Sequence, residues 1–168
     1  PLYNESDGLQ AFYDELSHVL AGLEGEARIL FVDDGSDDDT PDLLSDLAGR
    51  DERIVVVTLS RNFGHQVALT AGLDRADAEI VITLDGDGQH PPELIPQMLE
   101  LSAQGYDIVL TERAIDSEVS VFKRLTAQLF YAIINRVGDT HIQPNSADCR
   151  LLTGPVVAAL REMREYHR

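Results

Sequence analysis

A chain of 168 residues, 43% hydrophobic and 26% charged, has the length of one compact domain and is too apolar for a disordered acidic segment. Its 13 Lys+Arg against 30 Asp+Glu give a formal net charge of −17, which argues against a nucleic-acid backbone as partner, because phosphate contacts need clustered cations. No apolar run approaches the ~18 residues of a membrane span, no basic-then-apolar leader is legible, and the lone Cys149 excludes an internal disulfide or a cysteine-based zinc cage.

The elements alternate along the chain. Leu9, Phe12, Leu16, Val19 and Leu23 recur at helical spacing behind the cap residues Ser6 and Asp7, with Gly22 and Gly25 closing the segment. Ile29 to Val32 reads as a buried strand, and after an acidic turn Thr40-Pro41 opens a helix through Leu43, Leu44 and Leu47. Ile54 to Val57 is the next strand and Gln66 to Ala76 the next helix; Ile80 to Leu84 is the third strand, Pro92 starts a helix through Leu94, Met98 and Leu101, and Ile108 to Leu110 is the fourth strand. Phe122, Leu125, Leu129, Ile133 and Val137 then mark an amphipathic helix. Apolar strands separated by helices predict an α/β domain with a parallel sheet covered on both faces. Pro1 to Glu5 reads as a turn leaving a strand that precedes the sequence, so an N-terminal truncation is expected.

In open α/β sheets ligands bind beyond the carboxyl ends of the strands. The residues there are polar each time: Tyr3-Asn4-Glu5, Asp33-Asp34-Gly35-Ser36, Ser60-Arg61-Asn62, Asp85-Gly86-Asp87 and Thr111-Glu112-Arg113. Asp85-Gly86-Asp87 sets two carboxylates on one short loop, the hard oxygen donors that hold Mg²⁺ or Mn²⁺ beside substrate phosphates, with Gln89 and His90 near enough to join or orient them. Asp33 to Asp42 is no calcium loop, since it lacks the glycine and glutamate such a loop requires. Asp37, Asp38 and Asp39 are expected to be a solvated turn and helix start, where acids suit the helix dipole. Asp33 and Asp34 follow their strand directly and are expected at the rim. Charge is also divided: residues 1–112 carry 5 basic and 24 acidic side chains, residues 113–168 carry 8 and 6. The acidic front suits phosphate held through a metal, and the basic back suits phosphate held by side chains.

Pro1-Leu2-Tyr3-Asn4-Glu5, Phe31-Val32-Asp33-Asp34-Gly35-Ser36, Leu59 to Gln66, Asp85 to Gln89 with Pro91-Pro92-Glu93, and Phe122-Lys123-Arg124-Leu125 stand in one order over the whole chain. In this the sequence resembles the family-two glycosyltransferases of GT-A (Rossmann-like) fold, specifically the polyprenyl-phosphate branch that includes dolichyl-phosphate-mannose synthases. The resemblance implies a single GT-A domain over residues 1–168, truncated at both ends. It has a mostly parallel sheet with helices on both faces, and its first strand is missing. It implies that Pro1, Tyr3, Asn4 and Glu5 line a nucleotide-sugar pocket and that Asp34, with Asp33 beside it, accepts a hydrogen bond from the base. Asp85, Asp87 and Gln89 would form the Mg²⁺ or Mn²⁺ site, Asp87 with a catalytic part, and Arg113, Lys123, Arg124 and Arg150 would meet an acceptor phosphate. Asp148-Cys149-Arg150-Leu151 resembles a D-F-R-L element whose aspartate is a proposed base, which makes Asp148 catalytic; it could instead orient Arg150. The implied reaction is inverting transfer of a sugar from UDP or GDP to a polyprenyl phosphate at the cytoplasmic face of a membrane, which parts outside this chain would contact.

Alternatives remain for these residues. Lys123 and Arg124 fit the polar face of an amphipathic helix, His65 fits a structural cap as well as a diphosphate or sugar contact, and Cys149 fits a packed thiol. His18, His141 and His167 show no metal spacing and read as surface residues. The same fold acting on a soluble or polysaccharide acceptor would not need the Lys123/Arg124 pair. A phospho-receiver domain would share the Asp33-Asp34 strand end, but a helix precedes that strand and Lys123 falls in a helical pattern. A non-catalytic nucleotide-sugar binder would not need both Asp85 and Asp87.

Overall fold

The computed structural model describes residues 1–86, 91–112 and 146–163. In chain order the elements are α1 (Leu9–Ala21), β1 (Ile29–Asp33), α2 (Thr40–Arg50), β2 (Ile54–Thr58), α3 (His65–Arg75), β3 (Ile80–Thr83), a 3₁₀ turn (Pro92–Leu94), α4 (Ile95–Ala103), β4 (Ile108–Glu112), β5 (Ser146–Thr153) and α5 (Gly154–Glu162). Residues 1–109 with 149–168 form one compact unit and 110–148 a second, of which only the end of β4 and the start of β5 are described. The helix expected over Phe122 to Val137 lies outside the described residues.

β1 and β2 pair in parallel from Ile29↔Ile54 to Asp33↔Thr58. The segment before α1 runs along β1 as well: the Leu2 N–H donates to the Val32 carbonyl and the Asp34 N–H to the Leu2 carbonyl, each at 2.8 Å. β1 is apolar on both faces because both are covered. Ile29 and Phe31 join Phe12 and Leu16 of α1 and Leu44 and Leu47 of α2 in one core. Val32 packs under α3, where Gly72 lets the helix come close: a Cβ there would stand 3.2 Å from Val32 Cγ2.

The second sheet departs from the alternating pattern. Its order is β3-β5-β4, and β5 runs antiparallel to β3, from Ile80↔Thr153 to Thr83↔Arg150. Neither β5 nor α5 was legible in the sequence, because Ser146, Asp148 and Arg150 break any apolar run at the start of the strand; Cys149, Leu151 and Leu152 are buried on it. Cys149 is the packed thiol expected, 3.8 Å from the Met98 sulfur in a small core with Val109 and Leu151. Two boundaries also moved. Ser6 and Asp7 sit in a turn closed by the Gly8 and Leu9 N–H groups on the Glu5 carbonyl, so α1 starts later, behind Gly8. Pro96 stands in the first turn of α4 with no N–H to give, and the segment from Pro92 splits there into a 3₁₀ turn and a helix.

One polar cluster ties α1 to the α2–β2 turn. The Arg53 guanidinium donates to both Asp51 oxygens at 2.7 to 3.1 Å and to the Ser17 hydroxyl at 2.8 Å, and the Tyr13 hydroxyl donates to Asp51 at 2.9 Å. The Arg53 hydrogen bonds hold the Asp51 carboxyl well below the usual carboxylate range. A depressed folded-state pKa stabilises above the ordinary value of 3.8 and loses that contribution as pH falls below it. Asp51→Asn should therefore melt lower than wild type at pH 7, by about 1–3 kcal/mol of stability, with the gap closing only below about pH 4. A gap unchanged down to pH 2 would show that the carboxylate charge is not what holds the cluster.

Candidate functional site

Beyond the carboxyl ends of β1, β2 and β3 lies an open cleft of about 310 Å³, the size of a small-ligand pocket. Residues 1–3 and Glu5 form one wall, Asp34 the floor, Asn62, Gly64 and His65 a second wall, and Asp85 with Gly86 the end of β3. All belong to the first unit. Of the residues expected around a nucleotide sugar, Pro1, Tyr3, Glu5, Asp34 and Asp85 are brought together here.

Three residues explain why the cleft has this shape. Asp34 is 3% exposed, and its two oxygens accept the Phe63 and Gly64 N–H groups, each at 2.8 Å. Gly35 has φ +70° and presses on the next loop: a Cβ there would lie within 2.8 Å of three backbone atoms of Arg61. Gly86 is buried with Leu2 against it, and a Cβ there would overlap the Leu2 Cδ2. The turn that carries the first carboxylate of Asp85-Gly86-Asp87 is thus set against the N-terminal wall by the absence of a side chain.

Asn4 and Asp33 hold positions beside the cleft. Asn4 takes a left-handed conformation with φ 54°. Its amide donates to Asp37 at 2.7 Å and accepts the Asp37 N–H at 3.0 Å, while its own N–H donates to the Ser36 hydroxyl at 2.9 Å. Asp33 is fully buried, and one oxygen accepts the Ser36 N–H at 3.0 Å. The acidic turn does more than start a helix. Asp38 accepts the Thr40 N–H at 2.9 Å, as a cap would, and also the Ser6 N–H at 3.2 Å. The Thr40 hydrogen bond, with Ser6 assisting, holds Asp38 well below the ordinary carboxylate range. Asp37 and Asp38 thereby fasten the N-terminal wall to the β1–α2 turn, a role the spacing of the acids did not reveal.

Asp85 Oδ1 faces the His65 Nε2 across the cleft at 3.7 Å, with the side chains 20% and 39% exposed. The Asp85 side chain keeps part of its surface open in the cleft, so a hard oxygen donor stands there, which is the chemistry Mg²⁺ or Mn²⁺ takes up. No group of three or more metal-ligating side chains stands among the described residues; Asp87 and Gln89 lie outside them, as do Arg113, Lys123 and Arg124. Asp148 is on β5, and Arg150 on the same strand is half-buried opposite Thr83. Asn62, expected on the rim but given no role there, and His65, set between a cap and a ligand contact, both line the cleft. The signal for both was their place after β2, on the rim that carries Asp34 and Asp85.

The Glycosyl transferase family 2 profile matches residues 1–159. The chain is 40% identical over 168 residues to an uncharacterized glycosyltransferase of Synechocystis, covering all of this chain and 53% of that protein. It is 36% identical over 165 residues to a prophage bactoprenol glucosyl transferase homolog of Escherichia coli and to the bactoprenol glucosyl transferase of Shigella phage SfV, covering 98% of this chain and 54% of each. It thus spans about half the length of these curated relatives. A crystal structure of a mycobacterial protein superposes with a TM-score of 0.62 over 91% of this chain and 51% of the other, at 23% identity, a likeness of fold. With the profile match over nearly its whole length and a carboxylate-rimmed cleft at the strand ends of a GT-A fold, the chain belongs to glycosyl transferase family 2.

Proposed function

We propose that this chain is the donor-binding part of a metal-dependent, inverting glycosyltransferase that moves a sugar from UDP or GDP to a polyprenyl phosphate at the cytoplasmic face of a membrane. The observation that carries the reading is the cleft itself, with the open Asp85 carboxylate at its rim. The bactoprenol glucosyl transferases among the relatives support the acceptor. No helix among the described residues is long and apolar enough to cross a membrane.

In the reaction an acceptor phosphate oxygen attacks the anomeric carbon, the bond from that carbon to the donor's β-phosphate oxygen breaks, and the nucleoside diphosphate leaves with the electron pair. One in-line displacement inverts the centre. The acceptor is a phosphate monoester with a second pKa near ~6, so at neutral pH it attacks largely as the dianion and needs little help from a base. Asp85, with Asp87, would hold Mg²⁺ or Mn²⁺, which supplies charge neutralisation for the leaving diphosphate. Tyr3 and Glu5 bound the nucleotide from the N-terminal wall, and Arg113, Lys123, Arg124 and Arg150 supply cations for the acceptor phosphate.

Calorimetric titration of UDP and of GDP, each with and without Mn²⁺, tests the donor half. One nucleotide should bind, and only with the metal. The matching sugar nucleotide, incubated with a polyprenyl phosphate in detergent, should then yield a lipid-linked sugar of inverted anomeric configuration. Absence of binding by both nucleotides to demonstrably folded protein would sink the proposal.

A further inference from the structure

His65 is the first residue of α3 and stands in the cleft wall. The cap role open to it in the sequence is not taken up, because Gly64 holds the cap position and makes no side-chain cap hydrogen bond. Packing sets where the imidazole goes instead. His65, Ala68 and Gly72 lie three and seven residues apart, on one face of the helix. Gly72 lies close to Val32 of β1, and Ala68 is fully buried. One turn before Ala68 the same face has reached the strand ends, so His65 stands over the cleft, which Ala68 also lines. Its Nε2 is 3.7 Å from Asp85 Oδ1, beyond hydrogen-bond distance, and the pair is open to solvent. So exposed a pair adds little to the fold.

We infer that His65 contacts the donor directly, its imidazole Nε2–H donating to a diphosphate oxygen beside Asp85. This rests on the donor reading above. The cleft wall holds three carboxylates, Glu5, Asp34 and Asp85, and among the described residues that line it there is no Lys or Arg. A carboxylate can meet a phosphate only through an ion, whereas an N–H meets it alone, and a hydrogen bond to an anionic oxygen is about twice as strong as a neutral one. Asn62 and His65 are the lining side chains described that carry an N–H. Of the two, His65 is the one that faces Asp85, where the diphosphate would sit. A neutral imidazole suffices, since one of its ring nitrogens always bears a proton.

The test is calorimetric titration of UDP and UMP, and of GDP and GMP, into wild type, His65→Ala and Gln66→Ala at saturating Mn²⁺. His65→Ala should melt as wild type does, because the side chain is exposed and alanine is the better helix former. It should bind the diphosphate about ten- to a hundredfold more weakly, while the monophosphate of the same base changes little. Gln66→Ala, exposed on the next residue and outside the cleft wall, should bind both as wild type does. Equal weakening of diphosphate and monophosphate in His65→Ala would overturn the inference in favour of a contact with the nucleoside. A loss that disappears as Mn²⁺ is raised would overturn it too, since His65 would then only steady Asp85. Unchanged diphosphate binding in a folded His65→Ala would overturn it and leave the donor reading standing. Failure of the wild type to bind either diphosphate would instead refute the donor reading, and the inference with it.

Discussion

Asp85→Ala should lower sugar transfer by about 10²-fold or more while leaving the melting temperature within a few degrees of wild type. The carboxylate is partly open and its His65 partner is more than a third exposed, so its loss leaves that imidazole to solvent and costs the fold little. Its loss from the reaction is different in kind. In the proposed reaction charge would develop on the diphosphate as the anomeric bond breaks, and a divalent ion held by Asp85 would supply several kcal/mol by neutralising it, with each ~1.4 kcal/mol a factor of ten in rate. The measurement is initial rate of lipid-linked sugar formation at saturating donor, over a range of Mn²⁺ concentrations. A variant that retains wild-type rate and metal dependence would remove Asp85 from the metal site.

Gly35→Ala should destabilise the protein by about 3 kcal/mol or more and lower its melting temperature by roughly 10 °C. Two costs act together: a side chain is strained at φ +70°, and the new methyl would collide with the Arg61 backbone, which cannot swing away as a flexible side chain could. The loop displaced is the one that carries Asn62 and Gly64 into the cleft, so nucleotide binding should weaken as well. Gly49→Ala is the matched control. It lies in α2 with nothing within 4 Å of a Cβ, and should leave stability equal or raise it by about 0.5–1 kcal/mol. Equal melts for the two variants would mean that the turn after β1 can move away from Arg61 freely.

The family membership removes the phospho-receiver alternative, and the structure shows why the two were confusable. A buried strand ending in two aspartates is common ground for folds that bind ligands at strand ends. Here those aspartates divide: Asp33 is buried and holds the turn at Ser36, while Asp34 reaches across to Phe63 and Gly64. The two are the same residue type side by side, and what separates their tasks is that Asp33 ends β1 while Asp34 is the first residue beyond it, so the two side chains meet different partners.

Periodicity and residue type alone determined much of this protein. The apolar runs of β1 and β2 and the helical spacing of Leu9, Phe12 and Leu16 are local signals that burial then satisfied. The polar residues after each strand identified the rim for the same reason, because a strand buried on both faces leaves only its end to meet a ligand. What the tertiary structure decided was everything that joins distant segments. The antiparallel β5 entered the second sheet although Ser146, Asp148 and Arg150 stand in its first half, since Cys149 and Leu151 complete a core with Met98 and Val109. Asn4 with Asp37, Asp34 with the 63–64 amides and Gly86 with Leu2 are pairs 29 or more residues apart. Such contacts are set by where strands lie side by side, and no spacing along the chain encodes that a carboxylate will find a backbone N–H.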